Sequence, residues 1–279
     1  MTTKWVKVLD TKFYTEGPGL DRAGNLYFTT LQGKVVLKRD ADGKVSQWAA
    51  LTCPNGQRIM EDGSHLICET GEKSIVKLDD QGALMETMVH MNCGGYPFEA
   101  PNDLILDKDE GLYFTDSVRY IGQVFYISKK GEEKRVLSDL DYPNGIAISA
   151  DGQNLFIAES YTNRILTVRL EEPGIPMGKP EVFAELPFNP SPPDSNRMPF
   201  TSNLPDGIAF DDTGFLWVAH YGMGALQVLN PDGSLERTVP TGIPATSNLI
   251  FDSTFENIYV TGGSSEPGPG MVHKVIIEK

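Results

Sequence analysis

Six short turns along the chain each carry a side-chain oxygen donor: Glu16-Gly17-Pro18, Pro54-Asn55-Gly56, Pro101-Asn102-Asp103, Pro143-Asn144-Gly145, Pro205-Asp206-Gly207 and Thr246-Ser247-Asn248. With the acid or amide as marker, at 16, 55, 102, 144, 206 and 248, the steps are 39, 47, 42, 62 and 42 residues. Any one triplet alone is an ordinary turn, since Asn and Asp beside Gly cap their own backbone. Six in near-regular step imply a repeat with an oxygen donor at its repeat point. Carboxylate and carboxamide oxygens brought together make a site for a hard divalent cation.

The text between the turns says what must position them. After Asp206 come Gly207-Ile208-Ala209-Phe210, a turn at Asp211-Asp212-Thr213-Gly214, and Phe215-Leu216-Trp217-Val218-Ala219. Ala225-Leu226-Gln227-Val228-Leu229, a turn at Pro231-Asp232-Gly233, and Leu235-Glu236-Arg237-Thr238-Val239 complete four short strands, the pattern of one antiparallel sheet. Four-stranded units recurring every ~40 to 50 residues mark a β-propeller, and six repeats predict six blades in an all-β single domain over residues 1–279. The last repeat is one strand short. Trp5-Val6-Lys7-Val8-Leu9 can fill that place and remove an exposed edge.

Composition bounds the partners. A net charge of −14 argues against nucleic acid or an anionic membrane surface and is compatible with cations. No stretch approaches the roughly 20 apolar residues of a membrane helix. The opening Met1-Thr2-Thr3-Lys4-Trp5-Val6 has no secretory apolar run, so a soluble cytoplasmic protein, monomer or weak dimer, is expected. Cys53, Cys68 and Cys93 form no Cys-x-x-Cys pair and are read as free thiols.

Strand alternation brings the six turns to one mouth of a central channel, with the Asp-Gly hairpins at the other end. Glu16, Asn102, Asn144 and Asp206 are the expected metal set. Calcium is the first choice and magnesium or manganese the next; zinc is the least favoured alternative, since no sulfur joins the set. Asn55 and Asn248 are read as turn or supporting residues. Asp206, facing the ion, is the candidate general base, with direct attack by its carboxylate as the alternative. His220, on a mouth-side loop, and Tyr120, on the rim, are expected to touch substrate. Asp103 and Asp116 are read as structural. The rim is assigned to residues 91–98, 118–122 and 263–270 and to a Pro-rich segment within 187–204 that could overhang the site.

Three strings make a resemblance specific: Ala100-Pro101-Asn102-Asp103-Leu104 with Gly111-Leu112-Tyr113-Phe114-Thr115-Asp116-Ser117, Pro143-Asn144-Gly145-Ile146-Ala147, and Pro205-Asp206-Gly207-Ile208-Ala209 with Leu216-Trp217-Val218-Ala219. In this order, after Glu16-Gly17-Pro18, they resemble the regucalcin, gluconolactonase and luciferin-regenerating enzyme family, related to the diisopropyl fluorophosphatases. The resemblance implies a six-bladed propeller with one divalent cation at the channel mouth and lactone hydrolysis as the activity. It matches Glu16, Asn144 and Asp206 to the family's metal ligands, and Asn102 to a position that is a ligand or a substrate contact. Ala100 stands where mammalian-type aldonolactonases carry an Arg, which shifts the expected substrate toward a less polar lactone or ester. A metal-dependent phosphotriesterase and a non-catalytic calcium-binding propeller are the alternatives.

Overall fold

The computed structural model describes residues 2–189 and 203–278, built from strands and turns with a single 3-10 turn at Ser160–Thr162 among them. No helix among the described residues is long and apolar enough to cross a membrane. The first unit pairs Glu16–Leu20, Leu26–Thr30, Val35–Arg39 and Val45–Ala50 in sequence order, all antiparallel. Units opening with Pro54–Ile59, Pro101–Leu106 and Pro143–Ile148 repeat this order, the last with a short added strand at Ile175–Pro176. A bridge from Tyr221 to Ala245 joins the units that open with Leu204–Phe210 and Ala245–Phe251 into one eight-stranded sheet.

The apolar alternation of each strand is spent between units rather than within them. Tyr113, Val124 and Tyr126 of the third unit pack with Ile146, Leu155 and Leu166 of the fourth. Leu66 and Cys68 of the second meet Phe114 and Phe125 of the third. The same sharing joins the last unit to the first, where Val272 and Tyr259 pack with Leu26 and Phe28. A lone four-stranded unit could not bury such faces, so each depends on its neighbours. Cys53, Cys68 and Cys93 are free thiols, the last two buried in these seams.

A hairpin carboxylate shapes the end away from the mouth. Asp211 Oδ1 accepts the backbone N–H of Thr213 at 2.9 Å and of Phe215 at 3.0 Å, while its Oδ2 accepts Trp217 Nε1–H at 2.9 Å. Asp21, Asp79, Asp107 and Asp252 take equivalent backbone N–H groups in their own hairpins. These are Asx turns, and they absorb a large share of the acidic residues in purely local work.

The N-terminal strand Thr2–Thr11 pairs antiparallel with Gly270–Glu278, aligning Trp5 with Val275. Trp5 also stacks on His273 with ring centroids 4.7 Å apart, and Val8 and Leu9 join the cluster of Leu26 and Phe28. The strand therefore covers an edge and contributes apolar contact to the seam between last and first units. Deleting residues 1–10 is expected to lower the melting temperature by more than about 10 °C, measured by scanning calorimetry.

Candidate metal centre and active-site cavity

Each unit's first strand breaks its ladder at the same point. The register shifts fall between Glu16 and Gly19, Pro54 and Gln57, Pro101 and Leu104, Pro143 and Ile146, Pro205 and Ile208, and Thr246 and Leu249. A bulge frees a residue from pairing and re-aims its side chain. Here it re-aims Asn55, Asn102, Asn144 and Asp206, while Glu16, still paired with Thr29, stands just before the bulge of its own strand. Glycines at the next position let the inner strands close up. A Cβ on Gly17 would lie 2.4 Å from the Asn55 carbonyl oxygen, and one on Gly145 would lie 2.2 Å from that of Asp206.

The register also corrects two markers, and the first is Glu16, which faces Thr29 at the position of the prolines and leaves Gly17 as the counterpart of Asp206. Pro54, Pro101, Pro143 and Pro205 face Glu69, Asp116, Glu159 and His220, and Thr246 faces Gly262 in the same way. Ser247, not Asn248, is therefore the sixth counterpart of Asp206. Its hydroxyl is buried on the Thr15 carbonyl at 2.9 Å. Asn248 belongs to the next position, shared with Asp103 and the glycines, where its amide bonds both Glu16 and Asp103. Gly207 makes the space: a Cβ there would sit 2.1 Å from Asn248 Oδ1.

Glu16, Asn102, Asn144 and Asp206 all line one cavity of about 170 Å³. Asn55 joins them, as do Tyr14, Tyr142, Tyr161, Tyr221, Ser160, Leu31, Leu204 and Glu266. A larger groove of about 890 Å³, running past Asp107, Lys108 and Lys129, lies at the end that holds the Asx hairpins and is bordered by solvated charges. It brings no set of buried donors together.

The cavity is strained electrostatically. Burial pushes the Asp206 carboxyl well above the usual carboxylate range, and the charges of Glu16 and Asp103 add to this. Burial also raises Glu16, again helped by Asp103, while the Gly17 N–H bonded to Glu16 Oε2 at 3.0 Å works the other way. Two buried acids so close are hard to ionise together without a countercharge. Asn55 Oδ1 and Asn144 Oδ1 are buried with no hydrogen-bond partner, although an orphaned buried carbonyl is costly. Asn144 uses its Nδ2 on Asp206 and, at 3.4 Å, on Ser160 Oγ, so its carbonyl end is the one left over. Two acids and two unsatisfied amide oxygens fit a hard divalent cation.

Tyr120 and His220 do not line this cavity, which revises the expectation for both. Tyr120 is 68% exposed, and its hydroxyl accepts Arg119 Nη2–H at 2.8 Å. Arg119 in turn lies over the Tyr161 ring at 3.7 Å, so Tyr120 is one layer outside the lining. His220 is fully buried, with Nε2 2.9 Å from Asn163 Oδ1 and Nδ1 3.2 Å from Gln227 Nε2. Its counterparts explain it. Glu69 accepts the N–H groups of Thr52 and Cys53, Asp116 those of Glu99 and Ala100, and Glu159 that of Asp141. Each staples the chain segment entering a mouth motif, and His220 bonds the Asn203 backbone in the same position. Asp116 is thus structural, and Asp103 sits behind the cavity with Oδ1 3.9 Å from Arg58 Nη1. Most of the Pro-rich segment expected to overhang the site, residues 190–202, lies outside the described residues.

Residues 14–264, nearly the whole propeller-like repeat, match the model of the "SMP-30/Gluconolactonase/LRE-like region". The chain belongs to this family. Among its relatives, a lactonase, drp35, of Staphylococcus haemolyticus is 28% identical over 278 residues, covering 88% of this chain and 80% of that protein. A gluconolactonase of Xanthomonas campestris is similar in structure with a TM-score of 0.82 at 25% identity, over 99% of this chain and 90% of the other. A calcium-binding protein, regucalcin, of Agrobacterium tumefaciens shares the fold with a TM-score of 0.77 at 20% identity, over 96% and 90% of the two chains. The matched stretch of the SMP-30/gluconolactonase-like chain includes all five oxygen donors on the inner strands and stops just before Glu266.

Burial lowers His220 to about 4. Its folded value lies below its unfolded one near 6.5, so the stability it contributes is complete above about pH 6.5 and is lost as pH falls through about 4. In thermal melts over this window, His220→Gln should lose less stability on acidification than the wild type. Parallel curves would show that another group carries the acid sensitivity.

Proposed function

We propose that this family member is a divalent-metal-dependent lactonase, acting as a single, closed six-bladed propeller. The closed ring is supported by inner strands that lie side by side from the first unit to the last, with the last against the first. The observation that carries the metal reading is the pair of orphaned amide oxygens, Asn55 Oδ1 and Asn144 Oδ1, beside Glu16 and Asp206 in one cavity. The lactonase and gluconolactonase relatives supply the reaction class.

Glu16, Asn102, Asn144 and Asp206 would hold the ion, calcium by the hardness of the donor set. A divalent cation bound there supplies positive charge for a developing oxyanion and lowers the pKa of water. Asp206 faces the cavity on the inner strand and accepts the proton of the attacking water. The Asn144 amide orients Asp206, and Asn248 holds Glu16. Of the three inner-strand amides on the cavity, Asn102 is the one without a buried, unsatisfied oxygen, which suits it to share that oxygen with substrate. Tyr14, Tyr142, Tyr161 and Tyr221 with Leu31 and Leu204 give walls with broad apolar faces, matching a lactone of low polarity. We read the site of action as cytoplasmic, on the chain's charge and composition.

Protein stripped with chelator and reloaded with single metals should open γ- or δ-lactones only in the reloaded form. Selective cleavage of a phosphotriester would move the assignment to organophosphate hydrolysis, and calcium binding without turnover would make the protein a calcium binder only. Asp206→Asn is expected to cut lactone turnover about a hundredfold or more with the fold intact by circular dichroism. Near-normal turnover would remove Asp206 from the chemistry.

A further inference from the structure

Glu266 is the one acid on the cavity wall that comes from outside the inner strands. It sits in the loop between Asn257–Gly263 and Gly270–Glu278 and lies beyond the stretch that matches the family model. The loop is pinned to the segment that leads into Glu16. Tyr14 N–H donates to the Pro267 carbonyl at 2.9 Å, and Ser264 N–H donates to that of Pro269 at 3.0 Å. A Cβ on Gly268 would lie 2.4 Å from the Lys12 carbonyl oxygen, so the two backbones are in contact. The residue is exposed on its outer side, while its carboxyl group is bonded to Gln32 and Tyr221 and faces the cavity.

Lactone opening has two proton requirements. The attacking water must lose a proton, and the ring oxygen of an alkyl lactone must gain one, because a free alkoxide is too basic to leave near neutrality. An acid that is also an ion ligand serves the second need poorly, since the cation keeps it ionised. Glu266 comes from a loop rather than from an inner strand, yet it lines the same cavity as Asp206.

Resting on the lactonase reading, we propose that Glu266 is the general acid that protonates the departing ring oxygen. A water oxygen bonds to the carbonyl carbon and its proton passes to Asp206. The bond from that carbon to the ring oxygen breaks, and the oxygen takes the proton of Glu266 to become the hydroxyl of the product. A proton then returns from Asp206 to Glu266 through solvent. Burial raises Glu266 above its ordinary value, and its hydrogen bonds with Gln32 and Tyr221 work the other way. Tyr14, Glu16, Tyr142, Asp206 and Cys53 feel its charge, and Tyr221 bonds it.

The test compares Glu266→Gln with wild type, both loaded with calcium, on an alkyl γ-lactone and on phenyl acetate, whose phenolate leaves without protonation. Expected are a fall of roughly a hundredfold in kcat on the lactone, a change within about threefold on phenyl acetate, and loss of the alkaline limb of the kcat profile. Calcium affinity by titration calorimetry and the melting temperature should be unchanged, and Glu266→Asp should recover part of the lactone rate. Equal losses on both substrates, no loss on either, or a rise in KM alone would each overturn the acid role. A calcium affinity weakened more than about tenfold would make Glu266 a ligand and overturn it as well. Wild-type protein that opens no lactone with any metal would instead overturn the lactonase reading along with the proposal.

Discussion

The closest constraint in this molecule is the approach of inner strands to one another at the channel mouth. Gly17, Gly56, Gly145 and Gly207 stand where a Cβ would collide with the backbone or side chain of the next unit. Hydrogen bonds lock the same contact. Thr29 Oγ1 donates to the Asn55 carbonyl at 2.8 Å, Thr115 Oγ1 to that of Asn144 at 2.8 Å, and Ser160 Oγ to that of Pro205 at 2.7 Å. Because each strand is set by its neighbour, the side chains that the bulges release arrive at one place with little freedom left. That is the preorganisation a metal or oxyanion site requires, built into the packing of the fold.

The same closeness creates the electrostatic problem that function exploits. Glu16, Asp206 and Asp103 are buried together, and the Arg58 cation lowers Asp103. Amide donors soften the repulsion: Asn144 serves Asp206, and Asn248 bridges Glu16 and Asp103. The side-chain oxygens Asn55 Oδ1 and Asn144 Oδ1 are left unpaired, so the cavity keeps an excess of acceptors over donors. A divalent cation is the ligand that such an imbalance favours.

The repeat has also been divided between two duties. At the inner position it supplies donors to the cavity, and at the end of the second strand in four units it supplies Glu69, Asp116, Glu159 or His220 as a staple for incoming chain. Asp206 and Asp116 thereby end in different roles, because Asp206 lies in the bulge of a first strand and Asp116 ends a second strand opposite Pro101. The place of His220 in the sequence suggests a substrate contact, yet its ring is enclosed between Asn163 and Gln227.

The six turn motifs and the strand periods were legible in the sequence because they are local: Pro-Asn-Gly and Asp-x-x-Gly obey backbone sterics wherever they stand. From them follow the all-β class, the four-stranded units, the use of Trp5–Leu9 beside the last unit, and the gathering of Glu16, Asn102, Asn144 and Asp206. The one-residue offset that puts Ser247 in place of Asn248 was invisible, since only cross-strand register distinguishes the two. The return of Asn55 to the cavity, the exclusion of Tyr120 and His220, and the arrival of Glu266 were decided by tertiary structure alone. Each depends on where a loop or ring comes to rest against a unit distant in sequence, and no local pattern encodes that contact.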